Sequence, residues 1–167
     1  LSRNAKAHVL IIGGGVAGLA CSLSCAEQGL TVTLIEKATM LGGTAATAHY
    51  TIKGSEVKPY LQELIQRVEK NEAITVYKET QLKAFEGNWG AFSAKIEVGS
   101  ASPESLTVEA GAVIMATGGT EVSPTAYMYG KDKRIVTQKE LETILAEEKI
   151  DPGSIQMLAM IQCVHSR

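Results

Sequence analysis

The stretch VLIIGGGVAGLACSLSCAEQGLTVTLIEK, residues 9–37, places three consecutive glycines between an apolar run and an amphipathic run. The apolar run HVLII, residues 8–12, is typical of a parallel strand that is buried on both faces. After the glycines, apolar residues recur at helical spacing until Gly29, a residue type that commonly ends helices. The alternating segment TVTLI, residues 31–35, supplies a second strand. The stretch therefore predicts a strand, a crossover helix and a second, parallel strand.

Three glycines in this stretch follow the pattern G-x-G-x-x-G, at Gly13, Gly15 and Gly18. In such a loop the first glycine permits a tight turn, the second leaves room for a pyrophosphate, and the third lets the helix pack closely. The first N–H groups of the helix have no partner within it, so they can bind the anion. Glu36, at the end of the second strand, can accept hydrogen bonds from ribose hydroxyls. In this strand–loop–helix context the pattern predicts a dinucleotide site.

The remainder of the chain alternates between helical and extended patterns. Ser55 is the predicted N-cap of a second helix, whose apolar face would be formed by Val57, Tyr60, Leu61, Leu64, Ile65 and Val68. Residues 82–86, 91–98 and 106–109 predict an antiparallel three-stranded β-meander. Further patterns predict a buried strand at 112–116, a capping box formed by Thr137 and Glu140, and a last apolar strand at 155–163. Together they predict an α/β fold with a parallel sheet, helices and a meander.

The composition is that of an ordinary globular domain and excludes several classes of partner. The chain has 167 residues, 45% of them hydrophobic, with 16 basic and 18 acidic residues interspersed. Nucleic-acid surfaces need clustered Lys and Arg, and a membrane span needs ~20 apolar residues in a row, so neither is expected. Three cysteines fit neither a disulfide framework nor a zinc site, which favours a cytoplasmic setting without a metal. Because the chain starts at Leu1 and ends in a strand-like segment, we interpret it as a piece of a longer protein.

Two further glycine pairs indicate which dinucleotide the sequence favours. Gly42 and Gly43 follow closely after Glu36. The segment ATGG, residues 116–119, ends a strand at the same edge of the sheet as the glycine loop, where ligands of open α/β sheets bind. Together with the meander, these features favour FAD, because NAD-binding domains match the pattern less well. An NAD-linked dehydrogenase and a non-catalytic dinucleotide fold that serves as an assembly module remain as alternatives.

Through GGGVAGLA, GLTVTLIEKATMLGG and VIMATGG, the sequence resembles the Rossmann-like FAD/NAD(P)-binding domain of flavoproteins with two dinucleotide-binding domains. The segments TVYKETQLKAFEGNWGAFSAKI, RIVTQKELETIL and IQCVHSR are similar to the A subunit of heterodisulfide reductase. This resemblance implies an FAD-dependent oxidoreductase subunit that exchanges electrons with iron–sulfur subunits of a complex, which can lie at a membrane periphery. A generic flavin oxidase or monooxygenase shares the same FAD features. We expect residues 1–150 to form the FAD-binding domain and residues 151–167 to begin a following segment.

The resemblance also implies which residues contact FAD. The glycine loop would face the pyrophosphate, Glu36 the ribose, and the later glycine segments the phosphate and ribityl side. No catalytic residue is implied. The expected cofactor contacts are Gly13, Gly14, Gly15, Val16, Ala17, Gly18, Glu36, Lys37, Gly42, Gly43, Thr44, Leu82, Ala116, Thr117 and Gly118.

The sequence departs from the family pattern in several places. No cysteine follows Gly43 in the small-residue loop, and the meander loop GSASPES is short, so we expect no iron–sulfur cluster in this chain. His165 stands where the family usually has glycine. Of the other side chains, His8 is expected at the surface, His49 as an ordinary loop residue or a flavin contact, and Trp89 as the anchor of a turn.

Overall fold

The computed structural model describes residues 5–162 and residue 164, so the end of the predicted last strand at residue 163 and the departure at His165 fall outside these residues. The chain divides into two compact units, residues 1–47 with 56–118 and residues 48–55 with 119–167. In chain order the strands and α-helices are β1 (His8–Ile12), α1 (Val16–Glu27), β2 (Thr31–Ile35), α2 (Val57–Glu69), β3 (Ile74–Tyr77), β4 (Thr80–Asn88), β5 (Ala91–Val98), β6 (Glu104–Ala110), β7 (Ala112–Met115) and α3 (Gln138–Ala146).

The first unit contains a four-stranded parallel sheet in the order β3-β2-β1-β7. β1 lies between β2 and β7, with Leu10 in register with Thr33 on one side and Val113 on the other. β3 extends the sheet beyond β2. The predicted strand–helix–strand unit around the glycine loop is therefore confirmed, and β1 is a central strand.

Alternate residues of β1 enter two different cores. Val9 and Ile11 pack with buried residues of α1 and α2, whereas Leu10 packs with buried residues of the meander. The meander is the antiparallel sheet β4-β5-β6, and it contributes Ala94 and Ile96 of β5 and Ala110 of β6, each fully buried, to this core. The unit thus has three layers: helices, a parallel sheet and an antiparallel sheet. The predicted fold class and the three predicted meander strands are confirmed.

α2 buries a narrower face than its sequence pattern predicts. Tyr60 is 57% exposed, because it lies at the border of the stripe that meets the sheet. The N-cap is Glu56 and not the predicted Ser55. Ser55 instead donates its N–H to Thr51 Oγ1 at 3.1 Å, within the turn that precedes the helix. The buried residues of α2 are Leu61, Leu64 and Val68.

The second unit contains α3, which begins with the predicted capping box. Thr137 Oγ1 accepts the N–H of Glu140 at 3.2 Å, and Glu140 Oε2 accepts the N–H of Thr137 at 2.6 Å. Two residues after Glu140, Glu142 Oε1 accepts the N–H groups of His49 and Tyr50 at 2.6 and 3.1 Å. A single carboxylate therefore ties the segment before α2 to α3.

The predicted last strand is wrong for the residues that the structure describes. Pro152–Ser154 form a short 3-10 helix, and residues 155–162 have no strand pairing. Their apolar side chains face solvent, with Met157 89% and Leu158 58% exposed. An apolar run forms a buried parallel strand only beside neighbouring strands, and the described residues pair none with this segment.

Two other expectations also need correction. His8 is not a surface residue: it is the first residue of β1 and is half-buried, with Nδ1 2.7 Å from Thr31 Oγ1 and Nε2 3.0 Å from Thr33 Oγ1. Trp89 lies at the turn between β4 and β5 and is 77% exposed, so it does not anchor that turn by packing. Across the described part of the chain, no helix combines the length and apolar character needed to cross a membrane.

Candidate dinucleotide site at the glycine loop

The glycine loop starts where β1 ends, at Gly13. This residue has φ +113°, and its N–H donates to the carbonyl of Ile35 at 2.8 Å. A Cβ at Gly13 would lie 2.3 Å from the carbonyl oxygen of Ala116, immediately after β7. Gly13 is therefore required both by its backbone conformation and by the close approach of the chain that leaves β7.

Gly18 brings the first turn of α1 against this turn. A Cβ at Gly18 would lie 1.9 Å from the carbonyl oxygen of Gly13, a distance that no side chain tolerates. Gly18 and the following Leu19 are buried. The third glycine of the pattern thus packs the helix onto its own loop as well as onto the sheet.

Gly15 leaves the start of α1 bare. It is the N-cap of α1 with φ −75° and ψ 179°, a conformation that any residue adopts, and it supplies no side-chain cap. The nearest atom to a Cβ built there, outside its chain neighbours, is the Cα of Gly43 at 4.0 Å. The carbonyl of Gly15 accepts the N–H of Leu19 at 2.9 Å. The N–H groups of Val16 and Ala17 belong to the first turn, where a helix offers donors to an anion.

Both the N–H and the carbonyl of Gly14 form hydrogen bonds within the protein. Its N–H donates to Glu36 Oε2 at 2.6 Å, and its carbonyl accepts the N–H of Gly42 at 2.8 Å. A Cβ at this position would lie 2.5 Å from Leu41 Cδ2 and 3.0 Å from Glu36 Cβ. Gly14 therefore joins the end of β2 to the second glycine pair, a role that the motif alone did not reveal.

Glu36 is a buried carboxylate, with 8% of its surface exposed. Its second oxygen, Oε1, accepts the N–H of Ala38 at 2.8 Å, and its main chain bonds to Tyr77 and Thr80 at 2.8 Å each. An ionised carboxylate has about four acceptor sites, so each oxygen retains one for a hydroxyl. The geometry fixes Glu36 beside the loop and leaves it able to accept hydrogen bonds from a ribose.

The second glycine pair forms the opposite side of this site. Gly42 forms a parallel bridge with Gly15, and a Cβ at Gly43 would lie 3.1 Å from the Cα of Gly15. Thr44 follows in an exposed 3-10 turn, Gly43–Thr47. The two glycine segments therefore touch through bare backbone, which leaves the amino end of α1 accessible.

The remaining predicted contact residues do not all lie next to the glycine loop. Ala116 donates its N–H to Ile12 at 2.8 Å, and the Cα of Thr117 lies 3.1 Å from a Cβ built at Gly13, so this segment borders the loop. Thr117 and Gly118 are exposed. Leu82 is half-buried and packs against the meander core. Lys37 is exposed and borders a cavity of about 270 Å³ on the meander side.

The arrangement fits a dinucleotide. An uncapped helix start and a bare Gly15 suit a diphosphate, and the buried carboxylate of Glu36 suits a ribose. Within the described residues, no three His, Cys, Asp or Glu side chains are grouped as metal ligands. Leu41 and Thr80 support the site although the sequence interpretation missed both, and the only local signal for Leu41 was an apolar residue directly before two glycines.

Comparisons with known proteins show which proteins this chain is similar to. The A subunit of the ferredoxin/F(420)H(2)-dependent CoB-CoM heterodisulfide reductase of Methanosarcina acetivorans is 33% identical over 99 residues, which are 58% of this chain and 12% of that protein. An iron-sulfur A subunit of the CoB–CoM heterodisulfide reductase of Methanopyrus kandleri is 33% identical over 91 residues, 54% of this chain and 14% of that protein. The chain thus spans only about an eighth of the length of these relatives.

A solved structure shares the fold as well. L-proline dehydrogenase from P. horikoshii superposes with a TM-score of 0.58 and 29% identity, over 66% of this chain and 22% of that chain. The fold and these relatives define the class of FAD-dependent oxidoreductases, as predicted. A family model for pyridine nucleotide-disulphide oxidoreductases matches residues 7–150. The chain belongs to the pyridine nucleotide-disulphide oxidoreductase family.

Proposed function

We propose that this chain is the FAD-binding part of an electron-transfer oxidoreductase of the heterodisulfide reductase A type, which shuttles electrons between its flavin and iron–sulfur partner subunits. The observation that carries the proposal is the uncapped start of α1 at Gly15, which lies next to Gly43 and directly follows Gly14, the residue bonded to the buried carboxylate of Glu36. The relatives support the choice of enzyme type, since two of them are named as A subunits of heterodisulfide reductases. The proposal takes residues 1–150 as the FAD-binding domain and residues 151–167 as the start of a following segment.

In this proposal the loop binds the diphosphate of FAD through backbone donors. The N–H groups of Gly15, Val16 and Ala17 lie at the amino end of α1, whose dipole favours an anion by about 0.3–1 kcal/mol per charge. Glu36, held in place by its own hydrogen bonds, accepts hydrogen bonds from the adenosine ribose. When bound, FAD supplies the redox chemistry, and the protein supplies binding, orientation and electrostatics.

The other predicted contacts complete the proposed site. Gly43 and Thr44 would face the phosphate and ribityl side, because they border Gly15. Thr117 and Gly118 would approach from the chain that leaves β7, and the backbone of Leu82 would meet the adenine edge. Lys37 would lie near the adenine ribose. These contacts rest on the resemblance and on proximity to the loop.

Iron–sulfur subunits are the proposed electron partners. One relative is named as an iron-sulfur protein, and another as ferredoxin-dependent. The proposal places the clusters outside residues 5–162. A cytoplasmic location is part of the same proposal, supported by Cys21 and Cys25, which are free thiols on α1.

FAD binding is tested with a substitution that the backbone tolerates. Gly15→Val should fold, because φ −75° suits valine, yet its side chain would occupy the space proposed for the diphosphate. We expect FAD affinity, measured by titration calorimetry, to fall by about 100-fold. Ser24→Val on the exposed face of the same helix is the matched control and should bind FAD like the wild type. A wild-type protein that binds no FAD would contradict the proposal.

Electron transfer is tested with the FAD-loaded protein. The flavin is reduced with dithionite under argon, excess reductant is removed, and oxidised ferredoxin is added as the iron–sulfur probe. The proposal expects flavin reoxidation together with bleaching of the ferredoxin absorbance. A reduced flavin that reacts with oxygen or a small organic acceptor but never with the cluster would favour a generic FAD-dependent oxidoreductase, the candidate that the likeness to L-proline dehydrogenase supports.

A further inference from the structure

Leu41 packs directly on the glycine loop. Its side chain is buried, with 5% exposure, and its Cδ2 lies 2.5 Å from the place that a Cβ of Gly14 would occupy. Leu41 therefore fills the space that a side chain at position 14 would take. It is also part of the core cluster formed with α1 and α2. Leu41 thus connects Gly14 to the main core of the unit by packing, in addition to the hydrogen bonds that Gly14 makes.

The residue that follows Leu41 holds the same point of the loop by a hydrogen bond. Gly42 donates its N–H to the carbonyl of Gly14 at 2.8 Å and bridges to Gly15. Gly42 has φ +118°, and a Cβ there would lie 3.0 Å from Leu61 Cδ2. Leu41 and Gly42 therefore fix Gly14 together, one by packing and the other through the backbone.

We infer that Leu41 is a positioning residue for FAD: by packing on Gly14 it sets the location of the N–H donors at the start of α1. The inference rests on the proposed function. Three consecutive glycines have wide backbone freedom, so the loop keeps one conformation only where its surroundings impose it. Without the Leu41 side chain, Gly14 can move into the vacated space, and the donors of Gly15 and Val16 move with it. A binding site whose supporting residues are loose loses affinity even when its contact residues are present.

Leu64 provides a matched control within the same core. It has the same side chain and the same 5% exposure, and it belongs to the same cluster. It lies on α2 and is not among the close neighbours of Gly13, Gly14 or Gly15. Loss of either leucine side chain removes similar apolar volume from one core, but only Leu41 of the two is among the nearest neighbours of Gly14.

The experiment compares Leu41→Ala with Leu64→Ala by thermal unfolding without FAD and by calorimetric titration with FAD. Both variants should lower the melting temperature, whereas only Leu41→Ala should raise the Kd for FAD, by about tenfold or more. Equal Kd changes in the two variants would overturn the positioning role while leaving FAD binding intact. A wild-type protein that fails to bind FAD would overturn the proposed function and this inference together.

If the alanine variant does not fold, a pair of milder substitutions tests the inference. Leu41→Met and Leu64→Met conserve volume and are tolerated in most cores. Amide chemical shifts of Gly14, Gly15 and Val16 should change in Leu41→Met and stay at wild-type values in Leu64→Met. Unchanged loop shifts together with an unchanged Kd in Leu41→Met would contradict the inference.

Discussion

Glu36 and Gly14 are joined by a hydrogen bond of 2.6 Å between the carboxylate and a backbone N–H, across 22 positions of sequence. The bond connects the end of β2 to the loop between β1 and α1 inside a buried environment. Both oxygens of this buried carboxylate accept backbone N–H groups, so that each has a hydrogen-bond partner inside the protein. The same group that would bind a ribose thus also holds the loop that would bind the diphosphate.

Glu36→Gln should therefore reduce both stability and FAD affinity. The amide keeps one acceptor but places an NH₂ group against the N–H of Gly14 or of Ala38, which leaves a buried donor without a partner. We expect a loss of about 1–3 kcal/mol in the free energy of unfolding, measured by urea denaturation, and weaker FAD binding by calorimetry. Glu72→Gln, at an exposed position on the approach to β3, is the control. Equal unfolding midpoints for the two variants would contradict the structural role.

Gly13→Ala should be strongly destabilising. The alanine would have to adopt φ +113°, and its Cβ would lie 2.3 Å from the carbonyl of Ala116. We expect a loss of about 2–4 kcal/mol in the free energy of unfolding. Gly119→Ala is the matched control, because a Cβ there meets no atom within 4 Å. Urea denaturation of both variants measures the difference, and a small effect of Gly13→Ala would mean that β7 does not approach the loop so closely.

His8 should make stability depend on pH. Burial lowers the pKa of its imidazole from the ordinary value of 6.5. The unfolded chain then binds a proton more readily than the folded one, so the His8 contribution is complete above pH 6.5 and is lost as the pH falls through the lowered folded pKa. Urea midpoints between about pH 8 and about pH 5 should fall less in His8→Gln than in the wild type. A parallel decline in both proteins would exclude His8 as the cause.

Glu142→Gln should release the segment that precedes α2. The N–H groups of His49 and then of Tyr50 lower the pKa of the Glu142 carboxyl, which shows that they stabilise its ionised form. Replacing it with a neutral amide weakens both hydrogen bonds, and the amide protons of His49 and Tyr50 should exchange faster with D₂O. Glu121→Gln, at an exposed site in the same unit, should leave both exchange rates unchanged. Protonation at low pH should reproduce the effect in the wild type.

The fold of the first unit could be predicted because the residue patterns that specify it lie close together in the sequence. The run before Gly13, the helical spacing after it and Glu36 after the second strand are consecutive patterns in one stretch. The contact between Gly14 and Leu41 could not be predicted this way, because it depends on how the loop after β2 returns to the sheet. Thr80 was missed for the same reason, since its N–H reaches the carbonyl of Glu36 from another strand.

The apolar run at residues 155–162 shows where prediction from composition fails. Its composition suits a buried strand, but burial depends on neighbours that composition does not specify. His8 is similar, since its two threonine partners lie on β2 and become visible only once the register of β1 with β2 is known. Residue type therefore predicted most of the elements, and long-range pairing decided which apolar runs become strands and which side chains support the site.

Leu10 of β1 lies in the meander core, whereas its neighbours Val9 and Ile11 lie in the helical core. If either layer separated from the sheet, apolar side chains of this shared strand would be exposed to solvent. Melting of the first unit is then a single cooperative event, monitored equally well by tyrosine signals from β3 and by circular dichroism of the helices. A cofactor that tightens the loop at one end of β1 would accordingly protect the distant hairpin from proteases as well.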